Sequence, residues 1–392
     1  MEILLNSNIT TNTNNSVIDL MEPFVNKAID LNSKSKDNQK ALKAYKEAID
    51  KIYRSINARD KDSIILNSSV NEATSELFLS MYLKYILTGR KNSVIISQRA
   101  SVDELKVARF LESQGCRVHR IPVTVDGTID LELLREYITS KTALVSIPLV
   151  DDESGVIQPI EEICAICSFA DVPLYINAKD AMGRIPIDVQ KDEVSFLSFS
   201  SDNIGGPKDI SALYISKKAP EILPTVFGGD TEQGGYRASL KDISKVIGFA
   251  KALEDAVDAL DFDIEDIKEL RDEFEQELLQ IDGVYSLAPW ALRVPTITIV
   301  AIRDIHASML LETLAQKGVI AYSFATFSNR NFERISLVDI ANLDEHLRHS
   351  IIGFSFGMQL NDYDIKEALK IVKESIKEVR AISVKCKEDR GE

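Results

Sequence analysis

The chain of 392 residues carries 46 Lys+Arg against 61 Asp+Glu, a formal net charge of −15 at pH 7, with 45% hydrophobic residues. That acidic balance offers no positive field to a phosphate backbone, so nucleic acid is excluded as the expected partner. No apolar run approaches the ~20 residues a bilayer span needs, Met1–Asn6 lacks a basic export region, and there are only four cysteines; a cytoplasmic protein without membrane segment or disulfide framework is expected.

At roughly 150 residues per domain the length fits two to three domains, or one large domain with a satellite. Asn6–Ser16 is polar and reads as extended, and Ala41–Ile56 has apolar residues at helical spacing. The pattern then alternates: strand Ser63–Leu66, helix Glu72–Leu87, strand Ser93–Ile96, helix Val102–Gln114, strand Arg117–Pro122. It continues with a helix over Asp130–Ile138 capped by Asp130, strand Ala143–Leu149, helix Ile160–Phe169 and strand Pro173–Asn177. Short strands alternating with helices predict a mostly parallel sheet covered on both faces. Beyond Asp192 the rhythm changes. Strands at Ser195–Ser200 and Ala212–Ser216 flank a Gly205-Gly206-Pro207 turn, and a long acidic helix spans Leu240–Gln280 with breaks near Asp261–Asp263. The tail reads strand Thr296–Ile302, helix Ala307–Gln316, strands Val319–Ser323 and Ile351–Phe356, and helix Asp362–Val384. The expected division is a segment 1–15 packing on the small domain, a large α/β domain 16–255 and a small α+β domain 256–392.

Neither a dinucleotide fingerprint nor a phosphate-loop motif occurs. Cys164 and Cys167 are three apart inside a helix, without the helix N-terminus or second pair that a redox or zinc site uses; buried core cysteines are the simpler reading. His119, His306, His346 and His349 have no accompanying carboxylate pattern, so no metal site is expected. Acidic runs over 251–278 read as the wet face of a helix.

One block is more specific. Val150-Asp-Asp-Glu-Ser-Gly-Val-Ile-Gln158 is followed by Pro173-Leu-Tyr-Ile-Asn177, Gly183-Arg-Ile-Pro-Ile-Asp188 and a stretch from Ser195 to Tyr214 containing Gly205-Gly206-Pro207. Gly127–Leu134, Gly228-Gly229 with Tyr236-Arg237-Ala238-Ser239, and Phe354-Ser-Phe-Gly357 fall in the same order. At these spacings the chain resembles the class V aminotransferase superfamily, most closely the NifS-type cysteine desulfurases. The resemblance implies the pyridoxal-phosphate-dependent transferase fold of type I: a mostly parallel, seven-stranded type of central sheet with helices on both faces, plus a smaller α+β C-terminal domain. It makes 16–255 the cofactor-type domain and implies a dimer with the active site at the dimer interface.

The same resemblance exposes what is missing. Asn203 stands at the family's Schiff-base lysine, and an amide nitrogen is neither nucleophilic nor basic. Asn177 replaces the aspartate that holds the pyridine nitrogen protonated. Ser101 stands at the ring-stacking position, Asp152 at the asparagine that contacts the ring oxygen, and Gly353 at the arginine that binds the substrate carboxylate. The segment Tyr322–Asn331, matching the loop that carries the persulfide cysteine, has none. The phosphate cup reads Ser69-Val70-Asn71, and Leu240 matches the threonine supplied by the partner subunit; Ser200 survives. No catalytic residue is therefore expected intact, and the pocket Val70, Asn71, Asp152, Asn177, Asp180, Ser200, Asp202, Asn203 reads as degenerate. Lys179 and Lys208 are the nearest lysines, and neither is expected to substitute.

The expected function is that of a catalytically silent, desulfurase-like protein acting by binding. Its expected partners are a second copy or an active desulfurase in a mixed dimer, or an iron–sulfur scaffold protein. No cofactor is expected. The alternative is a working enzyme of the superfamily with rewired or non-covalent cofactor chemistry, in which Asp152, Asp180 and Asp202 act as acid–base carboxylates; the simpler reading of the three acids is solvated remnants of the old cleft.

Overall fold

The computed structural model describes every residue except 1, 31–32, 60–61, 223–232, 234–235, 237–241, 263, 324–333 and 391–392, with backbone alone at 261–262 and 383–390. The chain opens with β1 (Ile3–Leu4), α1 (Asn15–Met21) and α2 (Lys36–Ser55). Next come β2 (Ser63–Asn67), α3 (Val70–Met81), β3 (Ser93–Ser97), α4 (Val102–Ser113) and β4 (Arg117–Ile121). After α5 (Leu131–Tyr137) follow β5 (Thr142–Pro148), α6 (Ile160–Phe169), β6 (Leu174–Asn177), β7 (Phe196–Ser200) and β8 (Ser211–Ile215). The remainder is α7 (Ile243–Phe262), α8 (Ile264–Leu279), β9 (Val284–Ser286), β10 (Ile297–Ile302), α9 (Ala307–Gln316), β11 (Val319–Ile320), α10 (Leu337–Ile340), β12 (Ile351–Ser355) and α11 (Asp362–Arg390).

Seven strands form one sheet in the order β2-β8-β7-β6-β5-β3-β4. The run β4-β3-β5-β6-β7 is parallel, and β8 is antiparallel to both β7 and β2. The central strands are apolar runs rather than alternating ones, because helices cover both faces: every residue of β3, β5 and β7 is buried. The parallel strands point their carboxyl ends one way, so the loops after β3, β5, β6 and β7 open onto one edge, where ligands of such sheets bind.

A second antiparallel sheet, β12-β10-β9, has its own core of Phe274, Phe354, Phe356, Leu310 and Val372. The N-terminal segment ties the two sheets. Its β1 pairs with β11, Ser7 N–H donates to Ser355 O, and Thr11 N–H donates to Asp202 O at 3.0 Å.

Several elements differ from the sequence expectation. The stretch expected to be extended to Ser16 turns helical at Asn15. The helix expected to reach Leu87 is α-helical to Met81 and continues as one wider turn over Tyr82–Ile86. The long helix, by contrast, divides near Asp261–Asp263 as expected, with α7 ending at Phe262 and α8 beginning at Ile264. The strand expected over Val319–Ser323 divides between two partners: Val319–Ile320 pair with the two-residue β1, and Tyr322 pairs separately with Gly353 of β12. Asp130 does cap α5, accepting from Glu132 and Leu133 N–H.

Phe274 is 1% exposed and meets Phe354 and Phe356 edge-on, with ring centroids 5.0 and 5.2 Å away. Phe274→Ala is expected to lower unfolding stability by about 3–5 kcal/mol, measured by urea denaturation; a loss below about 1 kcal/mol would mean that these rings do not carry the second core.

Candidate functional site

Three parallel strands deliver the cleft. The chain leaves β5 toward Asp151 and Asp152, β6 ends on Asn177 with Lys179 and Asp180 just beyond, and β7 runs through Ser200 to Asp202 and Asn203. Ser101 begins α4 after β3, and Asn71 lies in the first turn of α3.

Glu104 organises the near wall. It is fully buried, and a buried carboxylate needs donors. Ser101 Oγ donates to its Oε2 at 3.0 Å, Ser146 Oγ to its Oε1 at 2.7 Å, and Asn177 Nδ2 to its Oε2 at 3.2 Å. Ser101 and Glu104 also close a reciprocal cap on α4. This explains an amide at 177: an aspartate would set a second carboxylate against Glu104, and like charges that close cannot both ionise. Glu104 was absent from the sequence-derived site, although its signature, serine with glutamate three residues on, stands in the sequence.

Asn177 and Asn203 meet through the backbone of one residue, Lys179. Lys179 N–H donates to Asn177 Oδ1 at 3.2 Å, and Asn203 Nδ2 donates to Lys179 O at 2.9 Å. Asn203 is buried, and its Oδ1 has no hydrogen-bond partner. Lys208 does not enter the cleft as an amine; its Nζ donates to the carbonyls of Thr11 and Asp202 at 2.6 and 2.8 Å.

The aspartates are not solvated remnants. Asp152 pairs with Arg334, which also lies 3.4 Å from Asp151 and donates to Arg99 O at 3.3 Å. Asp151 takes a two-pronged bond from Arg99, at 2.8 and 2.9 Å, and Arg99 reaches Glu153 at 2.6 Å. Asp180 is buried with Arg184 Nη1 3.5 Å from its Oδ1. Desolvation pushes the Asp180 carboxyl up, opposed by Lys179 and Arg184 and reinforced by Asp152 and Asp151. Asp202 is half-buried beside Ser200 Oγ, 3.4 Å away. Arg334 and Arg99 had no sequence signal, since each acts through residues far along the chain, whereas Arg184 stands in the Gly183–Asp188 motif, four residues from its partner Asp180.

The other positions stand apart. Val70 is in the core and Asn71 is exposed, bonded to Asp103 at 2.7 Å. Gly353 faces Tyr322: a Cβ there would lie 2.2 Å from the ring carbon Cζ, and Tyr322 Oη donates to Glu153 O at 3.0 Å. The phenol thus fills the room an arginine would need. Of the sequence-derived positions, Leu240, Gly228-Gly229, Arg237-Ala238-Ser239 and most of Tyr322–Asn331 lie outside the described residues. Cys164 and Cys167 are buried, as expected, with thiols pushed up by desolvation, Cys167 to about 12. Among the described residues no His, Cys, Asp and Glu group is arranged to hold a metal.

Against known proteins, the family model for aminotransferase class-V matches residues 3–369. A cysteine desulfurase IscS of Dictyoglomus turgidum is 28% identical over 384 residues, 97% of this chain and 96% of that protein. The mitochondrial cysteine desulfurase of Arabidopsis thaliana is 30% identical over 344 residues, 88% of this chain and 75% of that one. Among solved structures, a NifS-like protein superposes with a TM-score of 0.86 at 24% identity, covering 95% of this chain and 99% of its own. These matches overturn the expectation of no cofactor, because pyridoxal phosphate is the group that this family and fold are built around. The residues present fit that group held by hydrogen bonds and packing. Ser200 remains for a phosphate, α3 presents an N-terminus at which the Glu72 carboxylate already accepts from Ser68 N–H at 2.7 Å, and the buried Asn203 Oδ1 is unmatched. Position 203 supplies no amine.

The Arg99–Asp151 pair gives a test with a definite sign. The guanidinium groups of Arg99 and Arg334 overcome desolvation and hold the Asp151 carboxyl well below its ordinary range. Its contribution is therefore present above the ordinary carboxylate pKa and is lost as pH falls through the depressed folded value. Asp151→Asn is expected to cost about 3–5 kcal/mol at pH 7 and to flatten the loss of stability below about pH 4, both read from denaturant unfolding across pH. Equal acid sensitivity in the two proteins would contradict it.

Proposed function

Because the chain belongs to the aminotransferase class-V family, we propose that it is a cysteine desulfurase-like enzyme with rewired chemistry, its cofactor held without a covalent bond at position 203. When bound, pyridoxal phosphate supplies an electron sink for carbanion charge. The observation that carries the reading is Asp180, a buried acid in the cleft whose carboxyl is pushed upward mainly by desolvation. A carboxyl raised in a cleft is suited to hold a proton more readily than an exposed aspartate does and to pass it on. Asp180 Oδ1 is the atom that moves the proton, and Arg184 at 3.5 Å steadies the charged form. Asn203 holds the Lys179 carbonyl, Asn177 donates to Glu104 without adding a second charge to the wall, and Arg334 offsets the charge of Asp152.

A second reading is favoured by Asn203 itself: a catalytically silent family member that acts by binding. On that reading the partners are a second copy or an active desulfurase in a dimer, or an iron–sulfur scaffold protein. Both readings take the cytoplasm as the location; no described helix is long and apolar enough to cross a membrane. The division into 16–255 and 256–392 belongs to the same proposal, supported by the separate hydrophobic cores of the two sheets.

The full chain titrated with pyridoxal phosphate is expected to bind it reversibly, with dialysis removing it and borohydride leaving no tagged lysine. With the cofactor present, Asp180→Asn is expected to lower turnover of an amino-acid substrate about 100-fold while cofactor binding persists. Binding without turnover of L-cysteine or other amino acids would reject the enzyme reading in favour of the silent one. A lysine tagged by borohydride would reject the non-covalent arrangement.

A further inference from the structure

In the small domain, α8 and the turn leading from β12 into α11 form a groove of about 460 Å³, none of whose residues belongs to the cofactor cleft. Along α8, Asp266, Glu269, Leu270 and Glu273 stand at i, i+3, i+4 and i+7 and so share one helix face, and all four line the groove. The floor is apolar. Leu270, Met358 and Leu360 are half-buried there and pack against the second core, which fixes their positions.

The rim is acidic and short of countercharge. Asp266, Glu269, Glu273 and Asp362 are exposed, and no Lys, Arg or His lines the groove. Asp266 and Asp362 sit in the first turns of α8 and α11, where the helix dipole favours an anion. That does not account for Glu269 and Glu273, which lie beyond the first turn and four residues apart, a spacing at which like charges repel. Lys366 acts on Glu273, but its Nζ is held by Asp362 at 2.9 Å, and Lys268 is committed to Glu265 at 3.3 Å. The free protein thus keeps a repulsion beside an apolar floor, and an incoming cation with an apolar body relieves both. The chain's own net charge of −15 disfavours a second copy as the occupant and favours a partner of opposite sign.

We infer that this groove is a docking site for a basic amphipathic helix of a partner protein. Its Leu- or Met-like side chains, three and four residues apart, seat on Leu270, Met358 and Leu360, and its Lys or Arg side chains meet Glu269 and Glu273. From Asp266 to Glu273 the acidic face runs about 10 Å at ~1.5 Å per residue, the length of two turns of such a helix. Docking here asks nothing of the chemistry in the cleft.

The probe is a dye-labelled peptide of leucine and lysine with leucines at i, i+3, i+4 and i+7, titrated with the full chain by fluorescence anisotropy. It is expected to bind with Kd on the order of 10 μM, and more weakly as salt is raised. Glu269→Gln combined with Glu273→Gln is expected to weaken binding about tenfold, and Leu270→Ala about fivefold. The replacements are good helix formers on a surface face, so both variants are expected to stay folded, as read by Tm. Glu136→Gln combined with Glu312→Gln removes two exposed acids from α5 and α9 and is expected to leave Kd within about twofold. No binding overturns the inference, as does an equal loss in the two double variants. So does equal binding of a peptide with the same residues shuffled out of helical register, equal displacement by spermine, or binding that Leu270→Ala leaves unchanged, since each means attraction by charge alone. A dimer in sedimentation that the Glu269 and Glu273 changes dissociate would assign the groove to a second copy and likewise overturn it.

Discussion

The cleft depends on a carboxylate that water does not reach. Glu104 is buried among the ends of three strands, and each of its bonds removes a freedom from the residue that donates it. Ser101 is held as a helix cap, Ser146 is drawn in from β5, and Asn177 must be a donor rather than an anion. The amide at 177 passes the constraint on: its oxygen takes the Lys179 N–H, and the carbonyl of that residue takes the amide of Asn203. Two changes that look separate along the chain are thus the two ends of one hydrogen-bonded relay.

The same economy governs charge. Four acids, Asp151, Asp152, Glu153 and Asp180, crowd the carboxyl edge of the sheet, and three arginines answer them. Arg99 follows β3, Arg184 follows β6, and Arg334 comes from the far side of the small domain's sequence. Breaking such a buried set by removing one member leaves an uncompensated ion, so no acid or arginine of the set is replaced alone without cost.

How much of this was legible in the sequence follows from which interactions are local. Apolar runs such as Ser93–Ser97 and Thr142–Pro148 announce strands buried on both faces, and the Asp130 cap is readable because donor and acceptor lie within three residues. Motif spacing singled out Asn177, which ends β6, and Asn203, which lies three residues beyond the end of β7. The division of Val319–Ser323 between β1 and β12 was not legible, because β1 lies more than 300 residues earlier in the chain. Arg334 was invisible for the same reason: its partners Asp151 and Asp152 are defined only once the small domain has packed against the sheet. The one local clue passed over was Ser101 with Glu104, whose spacing announces a cap but not that the glutamate also reaches Asn177.

Tyr322 over Gly353 has an evolutionary corollary. At 2.2 Å from the ring, even the single carbon of an alanine is refused at 353, so no one-step reversion can restore a larger residue there. The phenol, in turn, cannot leave without abandoning its bond to the Glu153 carbonyl and opening a void among buried neighbours. Descent from an arginine-bearing ancestor would therefore behave as a ratchet, in which return requires two coordinated substitutions and each alone is penalised.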